Sequence, residues 1–257
     1  MSLIAVIDFE TTGLSPAMGD RATEVAIVLT ENGEVVDRFQ SLMNAGVRLS
    51  AFITQFTGIT NAMVASAPSA AQVMGDASRF VGNAPMVAHN AAFDRKFWQA
   101  ELQYADESAD HAFACTLLVS RRLYPQAPSH KLGVLVDFHH LPIGGRAHRA
   151  LADAEMAAAL LGQIQHDLRT HHRVPQPNHA MLMALQRCAR PALPALMAST
   201  RRIDTVWRTD LLARQALCQP LAAEHCCLRI GRCVAELARF GLALAPRFLL
   251  LQRLKRI

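Results

Sequence analysis

The chain has 257 residues, of which 51% are hydrophobic and 18% are charged, a composition typical of a globular protein rather than a disordered one. No stretch approaches the roughly 20 uninterrupted apolar residues of a membrane-spanning helix, and the first residues show neither the basic leader nor the cleavage site of a signal peptide. We therefore expect a cytoplasmic protein whose six cysteines, none of them in a C-x-x-C pair, stay reduced.

The first predicted elements are three strands. Residues 3–9 form a short apolar run rich in β-forming side chains, which indicates a buried strand. Residues 22–30 and 34–42 flank the pair Asn32-Gly33, and Asn-Gly between apolar stretches is the strongest short-range signal for a hairpin. We therefore predict that the first three strands are consecutive and antiparallel.

Helices and two further strands follow. The predicted helices cover residues 51–58, 69–81, 92–104, 115–123 and 130–138, and the predicted strands cover residues 85–89 and 112–115. The clearest helix covers residues 149–168, where apolar side chains recur every three or four positions. Hairpin-linked strands followed by alternating strands and helices imply an α/β fold, with a mixed five-stranded sheet flanked by helices.

The C-terminal part of the chain differs in charge from the rest. Residues 201–257 hold eleven Lys/Arg and four Asp/Glu, a net charge of +7, whereas residues 1–200 carry −2 and the whole chain +5. Two prolines near residue 175 mark a boundary. We therefore predict a domain of residues 1–174 and a helical, basic C-terminal extension of residues 175–257.

Two interpretations of this extension stay open. Met181–Leu185 and Leu211–Phe240 have the pattern of helices, which favours a helical appendage packed on the core. Seven arginines between residues 201 and 239 are separated by apolar residues, a pattern that also suits a surface for a DNA polymerase or for nucleic acid. Binding through such arginines would depend steeply on salt.

Two carboxylates stand at the end of the first predicted strand. Asp8 and Glu10 are two residues apart, so strand alternation places both side chains on one face. Carboxylates at the end of an apolar strand are costly unless a partner compensates them, and a divalent cation is a natural partner. Ordinary solvation at a strand end is the alternative for this pair alone.

Three further candidates follow in order along the chain. Asp94 lies after the predicted fourth strand in the first turn of a helix, and Asp153 lies in the early turns of the long helix. His148 follows Gly144-Gly145, on a loop that runs into the same helix. Each acid alone could simply complement a helix dipole, and a lone histidine is most often a surface residue.

Four carboxylates and one histidine together indicate a specific chemistry. Two divalent cations held by such a set can clamp the attacking and leaving oxygens of a phosphodiester. Oxygen ligands suit Mg²⁺ or Mn²⁺. The attacking water must lose a proton, and histidine is the side chain that ordinarily titrates near neutral pH. The sequence therefore predicts metal-dependent hydrolysis of phosphodiester bonds.

Three motifs carry a family resemblance. They read DFETTGL over Asp8–Leu14, HNAAFD over His89–Asp94 and HRALAD over His148–Asp153. Between the first two, Thr57–Thr60 and the later Ala67-Pro68 are similar to the linker of the same family. From about residue 3 to residue 168, the chain resembles the DEDDh 3′–5′ exonucleases, the DnaQ-like family of the DNA polymerase III epsilon subunit.

The resemblance implies an RNase H-like fold and a role for each motif residue. Asp8, Glu10, Asp94 and Asp153 would hold two cations, with Asp8 bridging them, and His148 would be the general base for the attacking water. The residues implied in contact with the terminal nucleotide are Thr11, Thr12, Gly13, Leu14, Asn90 and Phe93. Many relatives have Asp-Thr where this chain has Cys115-Thr116, a difference that leaves the metal ligands intact.

The resemblance also implies a substrate and a protein partner, and it leaves two alternative functions open. The expected substrate is a nucleic acid 3′ end, with DNA favoured over RNA, and a DNA polymerase subunit is an expected partner. Many members of the family form homodimers, so a homodimer stays open. A 3′–5′ exoribonuclease similar to ribonuclease T is one alternative, and a non-catalytic nucleic-acid-binding subunit is another.

Overall fold

A computed structural model describes residues 3–108, 110–142 and 148–199. Its strands are β1 (Ile4–Thr11), β2 (Ala22–Glu31), β3 (Glu34–Leu42), β4 (Met86–Ala88) and β5 (Phe113–Cys115). Its helices are α1 (Ala51–Thr57), α2 (Asn61–Ala65), α3 (Ala70–Val81), α4 (Ala92–Tyr104), α5 (Thr116–Leu123), α6 (Leu132–Phe138), α7 (Ala150–Thr170) and α8 (His179–Arg187). The predicted strands and helices up to residue 170 therefore lie where expected, within a few residues at their ends.

The five strands form one mixed sheet in the order β3-β2-β1-β4-β5. The first three are antiparallel neighbours, whereas β1, β4 and β5 run parallel. At the hairpin between β2 and β3, Asn32 has φ 57° and Gly33 has φ 90°, the two positive values that a type I′ turn requires. The predicted α/β fold with a mixed five-stranded sheet is confirmed.

Both faces of the sheet are buried at β1, β2, β4 and β5, whereas the edge strand β3 is largely exposed. One face packs on α7 through residues such as Val6, Val28 and Leu161. The other packs on α3 and α4, where Phe97 and Trp98 have no exposed surface. A strand covered on both faces is apolar at every position, which explains the uninterrupted apolar run at the start of β1.

Helix α8 belongs to the core, although it lies beyond the boundary expected near residue 175. Leu182 and Leu185 share the core of α7, as does Met197 further along the chain. The side chain of Gln186 accepts a hydrogen bond from the backbone of Cys115 at 2.7 Å, so α8 covers the otherwise open edge at β5. Pro175 and Pro177 therefore precede a helix that packs on the edge of the sheet and on its core. The predicted helix over Leu211–Phe240 lies outside the described residues.

The expectations on the cysteines and on membrane-spanning helices can be compared with the part of the chain that the structure describes. Its two cysteines, Cys115 and Cys188, are free thiols, and the remaining four lie outside it. No helix within it combines the length and the apolar character needed to cross a membrane.

Candidate active site

Three of the predicted ligands meet between β1 and α7. Ile7 and Phe9 belong to the core with α3 and α4, so the alternate residues Asp8 and Glu10 face α7. Asp153 lies in the first turn of α7. One carboxylate oxygen from each of these three acids lies within 4.8 Å of the other two. The fold thus brings together acids that are 143 residues apart in the chain (Glu10 to Asp153).

Asp94 reaches the same end of the sheet from α4. It lies in the first turn of that helix and is 2% exposed. Its Oδ1 atom is buried and has no hydrogen-bond partner within the described residues. Burial, together with the charge of Glu10, raises the pKa of the Asp94 carboxyl to about 8, against opposing backbone hydrogen bonds. A buried carboxylate oxygen without a partner is costly in a folded protein.

The pKa values of the other three carboxyls, Asp8, Glu10 and Asp153, are raised as well. Burial is the largest cause that raises the pKa of Asp8 well above its ordinary value, and the charges of Asp94 and Asp153 add to it. Burial and the charge of Asp153 raise the pKa of Glu10 to about 7. Burial also raises the pKa of Asp153. The cluster therefore holds more negative charge than its surroundings compensate.

These properties fit a divalent cation. The donors are all carboxylate oxygens, the type of ligand that Mg²⁺ and Mn²⁺ prefer. A cation would compensate the excess negative charge and would offer a partner to the orphaned oxygen of Asp94. Within the described part of the chain, Asp8, Glu10 and Asp153 are the one group of three acids, cysteines or histidines close enough to share an ion.

His148 lies beside the cluster in an uncommon backbone conformation. Its φ is 61°, in the left-handed region that non-glycine residues seldom adopt. Its backbone N–H donates to Asp153 Oδ2 at 3.1 Å, and its exposed side chain packs against Phe56, with ring centroids 4.0 Å apart and the ring planes tilted by 34°. Strained residues of this kind are concentrated at functional sites.

Phe56 was not among the predicted site residues. It lies on α1, is 45% exposed, and stacks in parallel on Phe52, which is 70% exposed. Two exposed aromatic side chains four residues apart on a helix, just before the Thr57–Thr60 motif, are the signal in the sequence that could have indicated it. The structure thus places an aromatic surface directly against His148.

The segment after β1 forms a hydrogen-bonded turn. Thr11 Oγ1 donates to the carbonyl of Gly13 at 2.6 Å, and the Thr12 hydroxyl accepts from the backbone of Arg21 at 3.0 Å. A Cβ on Gly13 would lie 2.4 Å from a carboxylate oxygen of Asp20, so a side chain here would displace the Asp20 carboxylate, which accepts from the backbone N–H of Ser15 at 2.9 Å. The turn leaves Leu14 79% exposed at its tip, where it is free to contact a ligand.

The two predicted residues before α4 differ in their environment. Asn90 is exposed and has φ 69°, a second left-handed residue in the predicted set. Phe93 is half-buried and packs on Phe97, with ring centroids 5.0 Å apart. The second motif thus combines an exposed residue in a left-handed conformation, Asn90, with an aromatic side chain packed on α4, Phe93.

Residues 5–161, more than half of the chain, match the exonuclease family RNase_T. The chain is 35% identical over 231 residues to a DNA polymerase III PolC-type protein of Oceanobacillus iheyensis, covering 82% of this chain and 16% of that protein. A PolC-type protein of Bacillus subtilis is 35% identical over 199 residues, covering 75% and 14%. The chain thus spans about a sixth of the length of these relatives.

Solved exonuclease structures share the same fold. Exonuclease X in complex with 5′ overhanging duplex DNA is 30% identical, with a TM-score of 0.53 over 63% of this chain and 91% of that one. The nuclease domain of 3′hExo, a DEDDh family member bound to rAMP, is 23% identical, with a TM-score of 0.56 over 65% and 92%, which shows the RNase H-like fold. The family match and the order of the motifs lead to one conclusion: the chain belongs to the DEDDh-type 3′–5′ exonuclease family.

Proposed function

We propose that the protein is a metal-dependent 3′–5′ exonuclease that removes nucleoside monophosphates from DNA 3′ ends, in proofreading or repair. The single observation that carries this proposal is the cluster of Asp8, Glu10 and Asp153, in which one carboxylate oxygen of each residue lies within 4.8 Å of those of the other two. The buried, unpartnered carboxylate of Asp94 supports it. The family membership supplies the reaction class.

The four acids are proposed to hold two Mg²⁺ or Mn²⁺ ions. When bound, the two cations stabilise the negative charge that develops on the attacking and leaving oxygens of the phosphodiester. The raised pKa values of Asp8, Glu10 and Asp94 mean that these acids give up protons as they bind metal. Metal binding by this chain is therefore expected to strengthen as pH rises.

His148 is proposed to accept the proton of the attacking water on its imidazole ring. The hydrogen bond from its backbone N–H to Asp153 fixes the start of the side chain beside the carboxylates. The contact with Phe56 limits the ring to one side of the site. General bases act only within hydrogen-bonding reach of the proton, and the restraint that holds His148 beside the carboxylates supports its imidazole as the proposed base.

The terminal nucleotide is proposed to lie between the Thr11–Leu14 turn and the start of α4. Exposed Leu14 can pack against its base, and Thr11, Thr12 and Gly13 line the turn below it. Asn90 and Phe93 are proposed to border the other side of the nucleotide. The hydrogen bonds within the turn hold its backbone in one conformation, which would lower the entropic cost of binding a nucleotide.

DNA is the proposed substrate, and a DNA polymerase is the proposed partner. The PolC-type relatives are DNA polymerases by name, and exonuclease X was solved with duplex DNA. A cytoplasmic location is part of the same proposal.

Parallel digestion of 5′-labelled DNA and RNA oligonucleotides with Mg²⁺ tests the proposal. We expect stepwise shortening of DNA at a higher kcat/KM than RNA, with nucleoside 5′-monophosphates as products. Faster degradation of RNA would assign the chain to exoribonucleases instead. No turnover of either polymer, together with no Mn²⁺ binding in calorimetry, would support a non-catalytic nucleic-acid-binding subunit.

A further inference from the structure

A buried ion pair lies beside the carboxylate cluster. Glu24 is on β2 directly opposite Glu10 in the strand register, and its side chain is 1% exposed. Its two carboxylate oxygens accept from Arg149 at 2.7 and 3.1 Å. They also accept from Gln40 at 2.8 Å and from the backbone N–H of Ala150 at 3.1 Å. A carboxylate buried to this extent is tolerated only with such a complete set of donors.

The same contacts hold the beginning of α7. Arg149 is the residue that precedes the helix, and no side chain of its own segment caps the helix N-terminus. Glu24, on β2, acts as the helix cap instead. It accepts the backbone N–H of Ala150 and brings negative charge to the positive end of the helix dipole. Along the chain, Arg149 and Ala150, which Glu24 contacts, lie between His148 and Asp153.

We infer that the pair of Glu24 and Arg149 is a positioning device that holds the start of α7, with the site residues on it, against the strand that carries the other ligands. The inference rests on the proposed function. It gives the pair a role through Asp153 and His148 rather than in contact with substrate. Outer partners of metal ligands typically change metal affinity or activity by about 10- to 100-fold when they are removed.

The chain offers a matched control for this inference. Arg21 and Glu101 form a second bidentate pair at 2.8 and 3.0 Å, and Glu101 is also 1% exposed and also accepts a backbone N–H, from Ala22. This pair ties the end of α4 to the start of β2, away from His148 and Asp153. Glu24→Gln and Glu101→Gln therefore remove the same kind of buried charge, and only the first loosens the start of α7.

The test measures Mn²⁺ affinity by calorimetry without nucleic acid, and kcat and KM on a DNA oligonucleotide. We expect Glu24→Gln to lower both Mn²⁺ affinity and kcat by about tenfold with little change in KM. Glu101→Gln should leave Mn²⁺ affinity and kcat within about twofold, although its melting temperature also falls. Because the backbone of Arg21 donates to Thr12, any further effect of this variant should fall on KM. In the double variant with Asp153→Asn, the loss of Mn²⁺ affinity should be smaller than the sum of the single losses.

Equal falls in melting temperature for the two variants, with Mn²⁺ affinity and kcat unchanged in both, would make the pair a stabilising ion pair only. If Glu24→Gln does not fold, Arg149→Lys replaces it, because Arg149 is one-third exposed and lysine cannot form the bidentate contact. A wild-type chain that neither binds Mn²⁺ nor degrades DNA contradicts the proposed function itself. A wild-type chain that does both, beside an unaffected Glu24→Gln, overturns the positioning role alone.

Discussion

The metal-free protein should respond to pH through its carboxylate cluster. Burial, together with the charge of Asp153, raises the pKa of Glu10 from 4.5 to about 7 in the folded protein. Between these two values the folded chain keeps a proton that the unfolded chain releases, so the free energy of unfolding falls as pH rises. The Glu10→Gln variant has no such group. Its stability relative to wild type should therefore increase between pH 5 and pH 8.

The size of this effect follows from the pKa shift. A shift from 4.5 to about 7 corresponds to about 3 kcal/mol, because one pKa unit is worth about 1.4 kcal/mol. Glu10 is only 8% exposed, so solvent screens little of this. In a domain of this size, about 3 kcal/mol changes the melting temperature by roughly 6–12 °C.

Thermal unfolding in EDTA at pH 5, 6, 7 and 8 measures the difference between wild type and Glu10→Gln. Buried histidines act in the opposite direction below pH 6.5, since burial lowers the pKa of His89 to about 4, and this contribution cancels in the difference. The melting temperature of Glu10→Gln relative to wild type should be higher at pH 8 than at pH 5. Added Mg²⁺ should stabilise wild type more at pH 8 than at pH 5. A difference that stays constant from pH 5 to pH 8 would refute the reasoning.

Two further predictions concern contacts that the structure shows. Phe56→Ala removes the ring against His148 and should lower kcat by about three- to tenfold with a smaller change in KM, whereas Phe52→Ala, one turn earlier, should affect kcat less. Equal kcat values for the two variants in steady-state assays would contradict a role of Phe56 in restraining His148. Leu185→Ala should lower the free energy of unfolding by about 2–4 kcal/mol, because this side chain is fully buried in the core of α7. A loss below about 1 kcal/mol in urea denaturation would instead make α8 a loosely attached appendage.

The elements of the sheet could be predicted because their signals are local. Asn32-Gly33 marks a hairpin by backbone conformation alone, and the apolar spacing of α7 follows the period of a helix. The three motifs could be predicted as one site because their order and residue types match a single chemistry.

The contacts that shape the site could not be predicted in this way. Glu24 and Arg149 are 125 residues apart, and nothing in either local sequence indicates that they pair. Phe56 is one of eleven phenylalanines, and only the fold places it against His148. The prolines near residue 175 suggested a domain boundary, but the edge of the sheet at β5 requires a cover, which α8 provides through Gln186.

The measurement that tests the central claim most directly is a time course of single-stranded DNA degradation by wild type and Asp8→Asn. With a 5′ label and Mg²⁺, wild type should produce a ladder that shortens by one nucleotide at a time from the 3′ end. EDTA and Asp8→Asn should each abolish the ladder, while Asp8→Asn keeps a cooperative unfolding transition. A ladder that persists in Asp8→Asn, or the immediate release of a short 5′-labelled product, would contradict hydrolysis of 3′ ends at the site formed by β1, α4 and α7.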